Sequence, residues 1–223
     1  MRRQLLSAIA GTRDLCRADL TLTYAVHNAF RRDAALLMSA SYSDDVRDGA
    51  SIRAGWHTLK RNLTIQRTAK DCVLWPALRA RLAGQPHELA LLESMEAENA
   101  EMDPMIRKID AALSHDRRFR LREYAEDFST SLLTHLDHEE AEALPLMQSV
   151  LSRQEWRAFC DEQRRQVGLK GASSFFPWLL DGAPDGTRAQ ILGLLSPPLR
   201  FICRTVWQPR YERTPRWELA GAL

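Results

Sequence analysis

The clearest chemical feature of the sequence is a histidine and a carboxylate one helical turn apart. The stretch HLDHEEAEALP, residues 135–145, contains His135 and Glu139. Side chains four residues apart lie one above the other on a single helix face. A neutral imidazole and a carboxylate in that arrangement can share a metal ion, or act together as acid and base. The spacing therefore indicates a candidate site on this helix.

Polar residues interrupt three further apolar patterns in the same manner. Four stretches of the chain repeat apolar residues at steps of three and four, which is typical of helices buried along one face. The polar residues that fall within these stripes are His27, Gln66, Lys70, Asn99, His135 and Glu139. A buried polar group costs free energy unless it finds a partner. We therefore expect these six residues to meet in one core cluster.

Four long helices are needed to position such a cluster. The first is predicted to begin near residue 19 or 21, and the others to cover about 48–82, 87–113 and 119–150. Pro76 is predicted to kink or divide the second helix. Strand signals are almost absent, and most connections are short. The pattern predicts an all-α fold, an antiparallel four-helix bundle with additional C-terminal helices packed as a cap.

The chain is predicted to have three segments. Residues 1–18 form an N-terminal arm or short helix, 19–165 the bundle, and 166–223 a helical cap or tail. The tail contains a dense apolar patch around Trp178. Because such a patch is usually buried or used for binding, we expect it to pack across one open end of the bundle. A free interaction arm is the alternative.

Composition excludes several classes of partner. The net charge of +2 is close to neutral, so we expect no nucleic-acid partner. No apolar run approaches the roughly 20 residues of a membrane span, so no membrane partner is expected. A small organic molecule and a second copy of the chain remain as partners. The cysteines are far apart and form no CxxC pair, which predicts reduced thiols and a cytoplasmic protein: Cys16, Cys72, Cys160 and Cys203.

The helix motifs together resemble the hemerythrin-like, or HHE cation-binding, family. HLDHEEAEALP is similar to the fourth helix of that family, and VHNAFRRD to its first helix, with His27 at the ligand position. QRTAKDCVLWP and MEAENAEMDP are similar to the second and third helices. The resemblance covers roughly residues 20–160. It implies a four-helix bundle that holds two non-haem irons with histidines from all four helices and with carboxylates.

The sequence departs from the family at several metal-ligand positions. A histidine pair in the family's second helix corresponds to Gln66 and Arg67, and an acidic position corresponds to Lys70. The expected histidine of the third helix is Asn99. A lysine adds positive charge where the cation would bind, so we expect no metal cofactor. Because a buried ammonium requires a carboxylate partner, we expect Lys70 to pair with Glu139 instead. A single iron or other divalent metal is the alternative, held by His27, His135, Glu139 and Asp103.

Three functional interpretations follow, and they leave open whether the protein is an enzyme. In the first, the old metal cavity serves small-molecule binding or acid–base chemistry. Its predicted proton donors and acceptors are Lys70, His27, His135 and Glu139, and its predicted ligand-binding residues are Gln66, Asn99, Asp103 and Trp178. In the second, the cluster is a structural core of a non-catalytic sensing or interaction protein. In the third, a mononuclear metal site performs redox or oxygen chemistry on a small organic substrate.

Overall fold

A computed structural model of the protein describes residues 20–42, 49–114 and 118–218. Within these ranges every regular element is a helix, so the all-α prediction is confirmed for this part of the chain. No helix in the same ranges is both long enough and apolar enough to cross a bilayer. The predicted N-terminal arm, residues 1–18, lies outside the described residues.

The helices follow the predicted boundaries closely. Those of the predicted bundle are α1 Thr21–Ser41, α2 Gly49–Ala69, α3 Trp75–Arg81, α4 Pro86–Ser114, α5 Arg118–His138 and α6 Leu144–Val150. The C-terminal helices are α7 Arg153–Leu180, α8 Asp185–Leu194, α9 Pro197–Ile202 and α10 Gln208–Glu212. The predicted second and fourth helices are each divided into two α-helical parts by the same structural feature.

That feature is a π-helical turn placed before a proline. Three such turns join consecutive helices: Lys70–Leu74, Glu139–Ala143 and Cys203–Trp207. In each, the N–H that follows the turn donates to the carbonyl of the first residue of the turn. The next residue is a proline in all three cases: Pro76, Pro145 and Pro209. Proline lacks an N–H and clashes with the preceding turn, so a wider turn lets the helix continue.

The chain divides into two compact units. One comprises residues 20–29 together with Ser152–Thr214, and the other comprises the described residues of Phe30–Leu151 together with 215–218. Helix α1 contributes residues to both units. The proposed boundary between residues 165 and 166 falls within α7, three residues before Gly168. Gly168 has a φ of 62°, at which α7 is interrupted.

In the unit that contains Phe30–Leu151, a tryptophan joins helices α2, α4 and α5. Trp56 and Phe128 are almost fully buried and meet edge to face, with ring centroids 5.3 Å apart. The indole Nε1 of Trp56 donates to Asp110 Oδ1 at 2.8 Å, and Lys60 Nζ donates to the same oxygen at 2.6 Å. These contacts supply both the apolar burial and the polar satisfaction that a large core aromatic residue requires.

In the other unit, α7 begins with a capping box. Ser152 accepts a hydrogen bond from the backbone N–H of Glu155, whose carboxylate accepts from the N–H of Ser152. This reciprocal pair satisfies N–H groups that have no intrahelical partner. Further along the helix, Trp178 of the apolar patch is buried and lies 5.8 Å from Phe175 between ring centroids. The patch is therefore folded into a helix, whereas its docking on the bundle stays a prediction.

The expectation that all four cysteines are reduced is wrong. Cys160 is disulfide-bonded, whereas Cys72 and Cys203 are free. Spacing along a sequence does not reveal which thiols the fold brings within bonding distance, and this is why the error arose. The cytoplasmic location, for which reduced thiols were one argument, stays a prediction.

Candidate functional site in the helical core

A buried ion pair lies at the centre of the predicted cluster. Lys70 Nζ donates to Glu139 Oε2 at 2.5 Å, and the two residues are 7% and 1% exposed. The second carboxylate oxygen of Glu139 is buried as well. Each residue is the first of a π-helical turn. The predicted pairing of Lys70 with Glu139 is therefore confirmed.

A neutral histidine lies beside this pair. His135 is 3% exposed, and its Nε2 lies 3.7 Å from Glu139 Oε2. Its Nδ1 lies 2.8 Å from Glu98 Oε2. Because a carboxylate accepts hydrogen bonds, Nδ1 carries the proton. Burial lowers the pKa of His135, and the Lys70 ammonium lowers this pKa further. The Nε2 lone pair of a neutral imidazole therefore lies next to the Lys70–Glu139 pair.

Glu98 is a site residue that the sequence analysis missed. Besides binding His135, its carboxylate accepts from Nδ1 of His138 at 2.6 Å. His138 Nε2 in turn lies 3.7 Å from Glu142 Oε1, and the Glu142 side chain is 62% exposed. Ionisable groups thus connect the buried pair to the surface. Glu98 precedes Asn99 on the flank of its helix stripe, so an analysis of stripe centres alone omitted it.

The predicted ligand-binding residues of α2 and α4 have different surroundings. Asn99 is buried, and its Nδ2 donates to the backbone carbonyl of Met95 at 3.1 Å, one turn back in its own helix. Gln66 is half-buried. Asp103 forms an ion pair with Arg67 Nη1 at 2.7 Å, and its side chain is 46% exposed. Asp103 is therefore bound to an arginine at a partly exposed position.

Two predicted residues belong to the unit formed by residues 20–29 and Ser152–Thr214. His27 in α1 is 2% exposed, and Trp178 in α7 is fully buried. The burial of His27 agrees with the apolar stripe on which it was identified, and the burial of Trp178 agrees with the apolar patch of the tail. Their predicted roles beside Lys70, as a proton acceptor and as a ligand contact, stay predictions.

The chemistry of the donor set does not suit a di-iron centre. Three carboxylates in or near the predicted ligand set are bound to the protein's own cations: Glu139 to Lys70, Asp103 to Arg67, and Glu140 to Arg31 at 2.8 Å. Within residues 20–42, 49–114 and 118–218, no three His, Cys, Asp or Glu side chains are grouped as metal ligands. The alternative set of His27, His135, Glu139 and Asp103 is therefore not assembled as a metal site.

Comparison with known proteins identifies the family. The model of the hemerythrin HHE cation-binding domain matches residues 19–147, which is more than half of the chain. No curated protein and no solved structure is matched. The matched segment covers the helices that carry Lys70, Glu98, His135 and Glu139, and the helices α7 to α10 follow it. The chain therefore belongs to the hemerythrin HHE cation-binding family, and its fold is a hemerythrin-like helical bundle with additional C-terminal helices.

Proposed function

We propose that this hemerythrin-family protein functions without a di-iron centre and uses its core cluster for acid–base chemistry on a small organic molecule. The observation that supports the proposal is the buried Lys70–Glu139 pair with the neutral imidazole of His135 beside it. In this proposal the Lys70 ammonium supplies the positive charge that a metal supplies in relatives. A buried group of acid, base and carboxylate is a plausible catalytic arrangement, since burial shifts proton affinities.

Each group has a distinct proposed role. Lys70 is the proton donor, His135 Nε2 is the proton acceptor, and Glu139 holds Lys70 in place. Glu98 keeps the proton of His135 on Nδ1 and thereby orients the ring, as the third member of an acid–base set does. The hydrogen bond from His138 to Glu98 gives that carboxylate a connection towards solvent. In this proposal the proton that His135 accepts leaves towards solvent by this connection.

Two of the remaining predicted residues complete this proposal. Gln66 lies on α2 four residues before Lys70, and Asn99 follows Glu98 on α4. We propose that their amides contact the bound molecule. His27 and Trp178 belong to the other compact unit, so we assign them no role in this proposal. Asp103 is already bound to Arg67, so we assign it no ligand-binding role in this proposal.

A structural polar core in a sensing or interaction protein is the second candidate. It is favoured by the near-complete burial of Lys70 and Glu139, which bind each other directly. A pair that satisfies itself inside a core can specify one packing arrangement without contacting any ligand. Under this candidate, proton exchange at His135 is slow and no small molecule competes for Lys70.

A ligand screen distinguishes the two candidates. Ligand-observed NMR would test a library of small polar molecules against the wild-type protein, a Lys70→Met/Glu139→Gln variant and a Lys60→Met control. Acid–base function predicts molecules that bind the wild type and the control but not the core variant. If every molecule that binds the wild type also binds the core variant equally well, the structural core is correct.

Metal analysis tests the proposal that the protein functions without a di-iron centre. Protein purified without chelators from iron-supplemented cells should contain far less than two irons per chain. The physical reason is that cations occupy the positions of acidic or imidazole ligands. Near-stoichiometric di-iron with the oxo-bridge absorption of the family would overturn the proposed metal-free function.

A further inference from the structure

A cavity lined by both apolar and charged residues lies within the unit that contains Ser152–Thr214, separate from the Lys70 cluster in sequence. Its volume is about 360 Å³, which is within the usual range for small-molecule sites. Three lining residues have almost no exposed surface, namely Leu180, Leu192 and Cys203. They give the cavity an apolar floor. Cys203 also begins the third π-helical turn, a kind of distortion that is frequent at functional sites.

The charged lining favours an anion. Arg188 and Arg204 both line the cavity, and Asp185 is the acidic residue in the same lining. The guanidinium of Arg188 donates to the backbone carbonyl of Leu180, so its position is tied to the end of α7. Both arginines also act electrostatically on the thiol of Cys203. The lining therefore carries an excess positive charge next to an apolar floor.

A buried amide oxygen indicates that a molecule bound in this cavity also carries a hydrogen-bond donor. Gln208 lines the cavity, and its Nε2 donates to Glu212 Oε1 at 2.8 Å. Its Oε1 is buried and accepts no hydrogen bond from the residues that the structure describes. A buried acceptor without a donor is costly to a folded protein. A bound molecule with a hydroxyl or N–H group would remove that cost.

We propose that this cavity binds a small organic acid that has an apolar body, a carboxylate and a hydrogen-bond donor. The apolar body lies on the floor formed by Leu180, Leu192 and Cys203. The carboxylate binds Arg188 and Arg204, because guanidinium groups and carboxylates form strong charge-assisted hydrogen bonds. The donor binds Gln208 Oε1. This site is independent of the chemistry proposed for Lys70.

Three related aromatic probes separate these contributions. 4-Hydroxybenzoate has all three features, benzoate lacks the hydroxyl donor, and 4-hydroxybenzyl alcohol lacks the carboxylate. Isothermal titration calorimetry on the full chain measures the dissociation constant of each probe. The constant for 4-hydroxybenzoate should be at least about tenfold lower than that for each of the others, because each of the others lacks one of its polar interactions. If none of the three binds, or if the alcohol binds as tightly as the acids, the proposed site is wrong.

Matched variants locate the binding. Arg204→Gln should weaken 4-hydroxybenzoate binding about tenfold or more, whereas Arg210→Gln, an equal charge change at an exposed position of the same unit, should leave it within about twofold. Gln208→Leu should abolish the preference for 4-hydroxybenzoate over benzoate. The melting temperature of each variant verifies that it is folded. Equal weakening by Arg204→Gln and Arg210→Gln, or an unchanged preference in Gln208→Leu, would overturn the proposal.

Discussion

At the scale of single residues, Lys70 determines what the core can bind. An unpaired buried ammonium is costly, and a nearby carboxylate compensates for that cost only with good geometry. Lys70 Nζ and Glu139 Oε2 meet at 2.5 Å in a nearly solvent-free environment. The ammonium thus already compensates the charge of a carboxylate that a metal cation would otherwise bind. One substitution in a helix stripe therefore changes the chemistry of the site.

Removal of Lys70 should destabilise the protein strongly. Lys70→Met leaves Glu139 without its cation, at an expected cost of roughly 3–5 kcal/mol in the free energy of unfolding. Lys60→Met is the matched control, because the Lys60–Asp110 side chains are 29% and 38% exposed and such pairs contribute about 1 kcal/mol or less. Adding Glu139→Gln to Lys70→Met should recover much of the loss. Urea unfolding measures all three differences.

Two outcomes of this experiment would contradict the expected role of the Lys70–Glu139 pair. If Lys70→Met costs no more than Lys60→Met, the pair contributes no more than an exposed ion pair. If the double variant is less stable than Lys70→Met alone, Glu139 has a stabilising partner other than Lys70.

His135 should make stability depend on pH in a defined direction. Burial lowers its pKa below the ordinary value of 6.5, and Lys70 acts in the same direction against the opposing effects of Glu139 and Glu98. Below pH 6.5 the unfolded chain therefore takes up a proton that the folded protein does not. The stabilising contribution is complete above pH 6.5 and is lost as the pH falls through the folded-state pKa.

Two histidine variants isolate this effect. Chemical denaturation of chelator-treated protein between about pH 5 and 8 should show a steeper loss of stability for the wild type than for His135→Gln. His57→Gln, at an exposed position of α2, should retain the wild-type slope. A slope that is identical in the wild type and in His135→Gln would contradict the lowered pKa of His135.

At the scale of elements, the proposed functional side chains lie at π-helical turns that precede prolines. Lys70, Glu139 and Cys203 each begin such a turn, and each is followed by a proline six positions later. The carbonyl of the first residue accepts from the N–H five residues on, so the helix is locally wider than an α-helix. The same local device thus occurs at both sites that we propose.

A second element-scale contact ties the chain after residue 214 to helix α2. The backbone N–H of Trp217 donates to Ser51 O at 3.3 Å, and that of Glu218 donates to Ser51 Oγ at 2.8 Å. The Trp217 indole lies against Gly55, so closely that a Cβ there would be 2.2 Å from the ring. Only glycine leaves room for this ring in the middle of a helix.

Substitution of this glycine should therefore destabilise the protein. Gly55→Ala should cost roughly 1–3 kcal/mol, because the clash with Trp217 outweighs the helix propensity that alanine adds. Gly193→Ala in α8 is the control, since no atom lies within 4 Å of its added Cβ, and it should be neutral or stabilising by up to about 1 kcal/mol. Thermal unfolding measures both. A stabilising Gly55→Ala would mean that Trp217 does not pack there.

At the scale of the whole molecule, the three residues that differ from the family's metal ligands should together prevent metal binding. Family resemblance places Gln66, Lys70 and Asn99 at ligand positions on two helices. A Gln66→His/Lys70→Glu/Asn99→His variant removes the core cation and adds three donors to His135 and Glu139. We expect it to take up at least about tenfold more iron than the wild type, since imidazole and carboxylate are suitable iron ligands.

A variant that changes only one ligand position provides the comparison. Gln66→His alone keeps Lys70 in the core, so its iron content should stay close to that of the wild type. Elemental analysis after anaerobic loading with ferrous iron and desalting measures the bound metal. Equal iron in the triple variant and the wild type would show that features other than these three positions exclude the metal.

Much of the fold was predictable because helix formation depends on local sequence. Steps of three and four residues predicted the helices and the inward direction of Lys70, His135 and Glu139, since one helix face is defined by neighbours along the chain. Cap residues are also local, as at Ser152, which caps α7 together with Glu155 three residues later. The pairing of Lys70 with Glu139 followed from charge, because only a carboxylate could accompany a buried ammonium in this cluster.

The sequence by itself thus determined the helices, the family and the polar residues of the core, whereas tertiary structure decided their partners. The heights and rotations of packed helices placed Glu98 between two histidines and Arg67 against Asp103. Those relative positions depend on how the helices pack and on the π turns, which rotate the following side chains about the helix axis. The apolar stripe of a single helix does not specify either of them. The disulfide bond of Cys160 was likewise not predictable from the sequence, because the spacing of cysteines does not show which thiols the fold brings within bonding distance.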